Sequence, residues 1–193
     1  MGGVTARPAV FLDKDGTLIV DVPYNVDPAR IELAPGAASG LPRLHRAGWL
    51  LVVVSNQSGV ARGIFPESAL SAVEARLRAM LAGFDVPLAG FYYCPHRPDD
   101  GCLCRKPGDG LLRRAAEELG LALAASWMVG DILSDVEAGR RAGCRTVLVD
   151  NGNETEWQLT PVRTPDFRVR DLAEAAEVIL GASGPPPPGR EDS

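Results

Sequence analysis

With 193 residues, 46% of them hydrophobic and 23% charged, the chain has an ordinary globular balance and suits one domain with a proper core. A formal net charge of −5 argues against a general nucleic-acid-binding surface, yet leaves room for an anionic substrate held by local positive charge. Nothing approaches about 18 consecutive apolar residues and no leader-like stretch is visible, so a cytoplasmic monomer without membrane or nucleic-acid partners is expected.

Short apolar runs alternate with helical patterns along the chain, which predicts an α/β fold built on a parallel sheet. Residues 1–7 are expected to be flexible, and 8–180 to form one domain. The first predicted strand, about 9–13, ends in Asp13-Lys14-Asp15-Gly16-Thr17-Leu18. Residues two apart on an extended segment point the same way, so Asp13 and Asp15 can face one centre, one attacking phosphorus while the other manages a proton. The same letters also fit a plain acidic turn. A helix is expected near 36–48, with Pro42 kinking it or delaying its start.

The second strand, about 50–55, runs into Ser55-Asn56-Gln57-Ser58-Gly59. A hydroxyl followed by backbone N–H groups at the carboxyl end of a buried parallel strand suits a phosphoryl oxygen, or simply caps a βα turn. A helix over 66–82 shows Leu70, Val73, Leu77 and Met80 at helical spacing. The third strand, about 89–93, leads into Cys94-Pro95-His96 and, across Pro98-Asp99-Asp100-Gly101, into Cys102-Leu103-Cys104. Three thiols and an imidazole in the loop 94–104 predict a closed, tetrahedral, structural Zn²⁺ site rather than a disulfide.

Arg105-Lys106-Pro107 follow the last ligand directly, so ordering the loop with zinc also aims two cations. Of the 20 basic residues only two are lysines, Lys14 and Lys106, and both lie in these motifs. A helix near 108–120 precedes a fourth strand over 127–130 that ends at Gly130-Asp131. Asp131 suits a hard cation such as Mg²⁺ together with Asp13 and the Asp15 carbonyl. Ser134 and Glu137 fit a capping box for a helix over 134–143, so Asp135 either joins the metal or complements the helix N-terminus. A strand at 146–149 and a helix at 171–180 follow, then an expected disordered tail over 181–193 containing Pro185 to Pro188. Cys144 reads as a core thiol. Gly48, Gly83, Gly120 and Gly143 fall where helices should stop.

Taken in this order, the motifs at Asp13–Thr17, Ser55–Gly59, Arg105–Pro107 and Gly130–Asp131 with Asp135 resemble the haloacid dehalogenase-like phosphatases, in their zinc-loop, capless subgroup. The resemblance covers about residues 9–150. It implies a Rossmann-like three-layer sandwich with strand order 5-4-1-2-3, no separate cap domain, and a Mg²⁺-dependent phosphomonoesterase. It implies Asp13 as the nucleophile that becomes an aspartyl-phosphate, and Asp15 as the acid that protonates the leaving oxygen and then activates water. Ser55 and Lys106 would hold phosphoryl oxygens, and Asp13, Asp15 and Asp131 would bind Mg²⁺.

Two families share this zinc loop, the heptose 1,7-bisphosphate 7-phosphatases and the histidinol-phosphate phosphatases. Ser55 to Gly63, Tyr92 to His96, and Asp21 with Tyr24 look more like the heptose enzymes, which serve nucleotide-activated heptose biosynthesis. That likeness implies contacts to a small phosphorylated sugar from Asp21, Val22, Pro23, Tyr24, Ser55, Asn56, Gln57, Ser58, Arg105 and Lys106. Val22-Pro23 and Ile132 depart from the heptose pattern, which often has His-Gly and a lysine there. The short zinc loop is shared with the histidinol-phosphate relatives. A zinc-stapled binding module on the same fold is the non-enzyme alternative.

Overall fold

The computed structural model describes residues 6–183, so most of the expected flexible N-terminus and proline-rich tail lies outside the described residues. Arg7 is already tied in, its N–H donating to the Gly120 carbonyl at 3.1 Å. The last helix runs on to Ser183, past the expected start of the tail. Among the described residues no helix is long and apolar enough to cross a membrane.

Strand β1 (Ala9–Leu12) is apolar throughout and fully buried, as the centre of a sheet covered on both faces should be. Its alternate side chains enter two different cores. Val10 and Leu12 pack with α1 (Ala37–Arg46), α2 (Ala69–Ala82) and α5 (Leu172–Ser183); Ala9 and Phe11 pack under α3 (Gly110–Leu119) and α4 (Leu133–Ala142). The result is the expected three-layer sandwich. Strands β2 (Leu50–Asn56), β3 (Leu88–Cys94), β4 (Trp127–Gly130), β5 (Arg145–Val149) and β6 (Phe167–Val169) complete a parallel sheet in the order β3-β2-β1-β4-β5-β6.

The expected five-strand order is present, extended by β6. At three residues, Phe-Arg-Val alternates too briefly for β6 to be announced by its sequence. Asp166 pins its approach by accepting from the Thr146 N–H at 2.7 Å. Helix α1 runs through Pro42 without a delayed start. Burial of Leu41 and Leu44 outweighs the single backbone hydrogen bond that proline cannot make.

Because every strand pair is parallel, all carboxyl ends meet at one edge. The chain winds outward from β1 to β2 and β3, then crosses to β4 on the other side of β1. The crevice between the ends of β1 and β4 is therefore the switch point where open α/β sheets bind ligands.

Helix α4 lies close enough to the sheet that a Cβ on Gly139 would sit 2.6 Å from Met128 Cβ and 2.8 Å from Thr146 Cγ2. Gly139→Ala is thus expected to destabilise the fold by about 1–3 kcal/mol through overpacking. A lower denaturant midpoint at unchanged slope would register this, and an unchanged midpoint would mean that the helix has room to move away.

Candidate active site

The site begins where β1 stops. Asp13 continues the sheet register, its N–H donating to the Val129 carbonyl at 2.9 Å, so the carboxylate is held by backbone pairing with β4. Gly16 then turns the chain at φ +83°, and a Cβ there would lie 2.2 Å from Asp131 Oδ2. Only glycine allows the β1 loop to lie against the β4 carboxylate.

Lys106 reaches this crevice fully buried. Its ammonium contacts Asp13 Oδ1, pairs with Asp135 Oδ1 at 2.7 Å, and donates to the Val54 carbonyl at 3.0 Å. Burial alone would favour neutral amine, but the Asp13 and Asp135 charges outweigh it and raise the lysine pKa, keeping the ammonium charged. Burial raises the Asp13 carboxyl well above its usual range, with Lys106 opposing and Asp135 and Asp131 reinforcing the rise. Asp131 is pushed up to about 6, first by burial and then by the Asp135 charge. Thr17 Oγ1 and Asn153 Nδ2 donate to its two oxygens at 3.1 and 2.7 Å.

Asp135 does two jobs. Besides pairing with Lys106 it caps α4, accepting from the Ile132 N–H at 3.2 Å. The expected Ser134–Glu137 capping box is not formed: the helix starts at Leu133, so Ser134 is already inside it, and Glu137 pairs with Arg141 and Arg163.

On the β2 side, the Asn56 amide clamps the Lys106 backbone, accepting from its N–H at 3.0 Å and donating to its carbonyl at 3.1 Å. Gln57 Nε2 donates to Ser55 Oγ at 2.8 Å and to Asp15 Oδ2 at 3.0 Å. Lys14, also buried, holds Asp15 Oδ1 at 2.7 Å.

A cavity of about 280 Å³ joins Asp13, Asp15, Asp21, Ser55, Asn56, Lys106, Asp131 and Asp135, with Ile132 and Asn153 on its wall. A smaller lobe of about 110 Å³ brings in Tyr24, Asn25, Gln57 and Ser58. Three sequence-expected contacts sit elsewhere. Val22 and Pro23 line neither cavity; the Val22 carbonyl closes a turn by accepting from the Asn25 N–H at 3.0 Å. Arg105 donates to the His96 carbonyl at 3.2 Å and lines a separate cavity of about 370 Å³ that meets the first at Lys106.

The loop after β5 was not anticipated. Asn151 donates to the Gly16 carbonyl at 2.6 Å, and Glu154 accepts from the Leu133 N–H at 2.6 Å. With Asn153 on Asp131, this loop ties three pieces of the site together. Asn-Gly-Asn reads as a turn in sequence, and only its position after a parallel strand hints at more.

Two side-chain sets suit metals. Cys94, His96, Cys102 and Cys104 bring their ligand atoms within 4.8 Å of one another, with sulfur–sulfur separations of 3.2–3.6 Å and His96 Nδ1 3.3 Å from Cys104 Sγ. A tetrahedral zinc with sulfur bonds near 2.3 Å requires sulfur–sulfur edges of about 3.8 Å, so the set is slightly contracted about the right centre. All four cysteines of the chain are free. Burial pushes the Cys94 thiol up to about 12, so a dication is what would hold it as thiolate. In the second set, Asp13, Asp131 and Asp135 converge equally closely. Asp135 spends Oδ1 on Lys106 and Oδ2 on the Ile132 N–H, whereas Lys106 takes only Oδ1 of Asp13 and Asp131 meets only neutral donors, so Asp13 and Asp131 are the better hard oxygen donors. The five carboxylates lining the Asp13 cavity meet the ammonium groups of Lys14 and Lys106, two positive charges for five negative ones, and a hard dication would relieve the excess.

A parallel sheet with paired aspartates after its first strand, a buried lysine and an acidic fourth-strand loop defines a haloacid dehalogenase-like hydrolase built for phosphoryl transfer. Comparison with known proteins agrees. Residues 103–175 match the family described as "HAD-hyrolase-like". The chain is 37% identical to the D-glycero-beta-D-manno-heptose-1,7-bisphosphate 7-phosphatase of Pseudomonas aeruginosa, over 91% of this chain and 99% of that one. It is 40% identical to the Escherichia coli K12 enzyme of the same name, over 89% and 93% of the two chains. The crystal structure of D,D-heptose 1,7-bisphosphate phosphatase from B. bronchiseptica, complexed with magnesium and phosphate, superposes with a TM-score of 0.77 at 34% identity, covering 91% of this chain and 99% of that one. The chain belongs to the heptose-bisphosphate phosphatase family of haloacid dehalogenase-like hydrolases, and it is a phosphatase.

Asp135→Asn keeps an oxygen for the helix cap but removes the charge opposite Lys106. It is expected to cost about 1–3 kcal/mol of stability, read as a lower denaturation midpoint. No change would show that Asp13 alone satisfies the ammonium. Metal analysis should find about one zinc per chain, and chelation should lower both melting temperature and activity. A folded, active sample without zinc would contradict the structural role.

Proposed function

We propose that this chain hydrolyses the 7-phosphate of D-glycero-D-manno-heptose 1,7-bisphosphate. The observation that carries the reading is the meeting of Asp13, Asp15 and Lys106 in one cavity with a polar lobe beside it. The substrate in the names of the relatives supports the choice of sugar.

In this reading an Asp13 carboxylate oxygen attacks phosphorus as the phosphorus–oxygen bond to the sugar breaks. Asp15 gives its proton to the departing sugar oxygen. In the second half, Asp15 takes a proton from water, the water oxygen bonds to phosphorus, and the bond to Asp13 breaks, releasing inorganic phosphate and restoring the Asp13 carboxylate and the protonated Asp15. Lys106 neutralises charge on the transferring group and orients Asp13, and the Ser55 hydroxyl donates to a phosphoryl oxygen. Mg²⁺, held by Asp13, the Asp15 carbonyl and Asp131, would supply further charge neutralisation on the phosphoryl oxygens. The lobe formed by Asp21, Tyr24, Asn25 and Ser58 offers hydrogen-bonding groups matched to sugar hydroxyls.

Steady-state phosphate release from both anomers of heptose 1,7-bisphosphate and from histidinol phosphate, with Mg²⁺ present, tests the substrate. One heptose anomer is expected to win by a hundredfold or more in kcat/KM, about 2.7 kcal/mol of transition-state discrimination. Preference for histidinol phosphate would move the chain to the other zinc-loop activity. Asp13→Asn should abolish release, and full activity in that variant would displace the nucleophile.

A further inference from the structure

Gln57 lies against the small lobe rather than in the reacting cavity, and it is buried. Its amide nitrogen carries two N–H donors, and both are spent, at 3.0 Å on Asp15 Oδ2 and at 2.8 Å on Ser55 Oγ. The acceptor-only carboxylate fixes which way the amide faces, since the reverse orientation would set oxygen against oxygen. The backbone is equally fixed, the Gln57 N–H donating to the Cys94 carbonyl at 2.7 Å, at the edge of the zinc set.

Two consequences follow for the neighbours. A Ser55 hydroxyl that accepts from Gln57 keeps its own hydrogen for another acceptor, and its oxygen lines the cavity with Asp13 and Lys106. Asp15 is gripped at both oxygens, by Lys14 on Oδ1 and Gln57 on Oδ2, so its carboxyl plane cannot rotate freely.

We infer that Gln57 is a positioning residue, one amide that orients the proton-transferring carboxylate of Asp15 and the phosphoryl-holding hydroxyl of Ser55 together. The inference rests on the phosphatase reading above and assigns Gln57 no contact with the reacting atoms. It predicts a dependence on the leaving group that a structural role would not produce. A sugar alkoxide needs the Asp15 proton as it departs, whereas p-nitrophenolate leaves without one.

The test compares heptose 1,7-bisphosphate with p-nitrophenyl phosphate in Gln57→Ala and in Gln57→Glu, which keeps the side chain's length should the alanine variant fold poorly. In kcat/KM, which reports only the steps through departure of the leaving group and so leaves out the hydrolysis common to both esters, the sugar ester should fall roughly a hundredfold and the aryl ester only about tenfold, through Ser55. In an Asp15→Asn background the alkyl-specific part of the loss should vanish. Equal losses on both esters, no loss on either, or a full additive loss in the Asp15→Asn background would overturn the inference. Failure of the unmutated enzyme to release phosphate from either ester would instead overturn the phosphatase reading, and the inference with it.

Discussion

One buried ammonium holds the site together. The ends of β1 and β4 deliver carboxylates into a crevice where water is scarce, and burying such groups unpaired is costly. Lys106 meets Asp13, Asp135 and the Val54 carbonyl at once, donating hydrogen bonds to Asp13 and Val54 and pairing in charge with Asp135. The pairing links three strands, because Asp13 follows β1, Val54 belongs to β2 and Asp135 opens the helix after β4. The geometry of the site is in this sense a solution to a charge-burial problem, with the Asp13 carboxylate placed by the same contacts that make its burial tolerable.

The sheet supplies the carboxylates, but it cannot supply the lysine, which sits in a loop that packs little apolar surface. Leu103, between two of the cysteines, is 85% exposed. A Cys₃His set suited to zinc sits immediately before Arg105 and Lys106, where coordination would substitute for a hydrophobic core and fix the segment. Asn56 completes the placement by gripping the Lys106 backbone on both sides of its peptide unit. On the opposite wall, Asn151, Asn153 and Glu154 do comparable work for the β1 loop, Asp131 and the start of α4. The site is thus braced by polar side chains from β2 and from the loop after β5, not by its motifs alone.

Much of this was legible in the sequence. Fully apolar β1 and the apolar run Leu50 to Val54 of β2 marked central parallel strands, and Asp13, Asp131 and Lys106 stood at the ends or loops where such sheets place ligands. Helix stops at Gly83, Gly120 and Gly143 were equally visible. What escaped was information that exists only once chains meet. Asp135 could be read as a cap or a ligand, and its partner Lys106 lies 29 positions away in sequence, with no periodicity to join them. Val22 and Pro23 were expected at the substrate, yet they line neither cavity and belong to the turn before Tyr24 and Asn25, which line the smaller one. Arg105 and Lys106 were both expected at the substrate, Lys106 on the phosphoryl oxygens, and only Lys106 lines the cavity with Asp13. Gln57 looked like a ligand contact, and its donors turn out to be spent on Asp15 and Ser55.

The central claim is that Asp13, held by Lys106, carries the phosphoryl group between substrate and water. Rapid quenching of the enzyme during turnover of labelled substrate, followed by peptide mapping, tests it most directly. The account predicts a transient acyl phosphate, cleaved by hydroxylamine, on the peptide that contains Asp13. Turnover with no phosphorylated peptide, or with the label on any other residue, would contradict it.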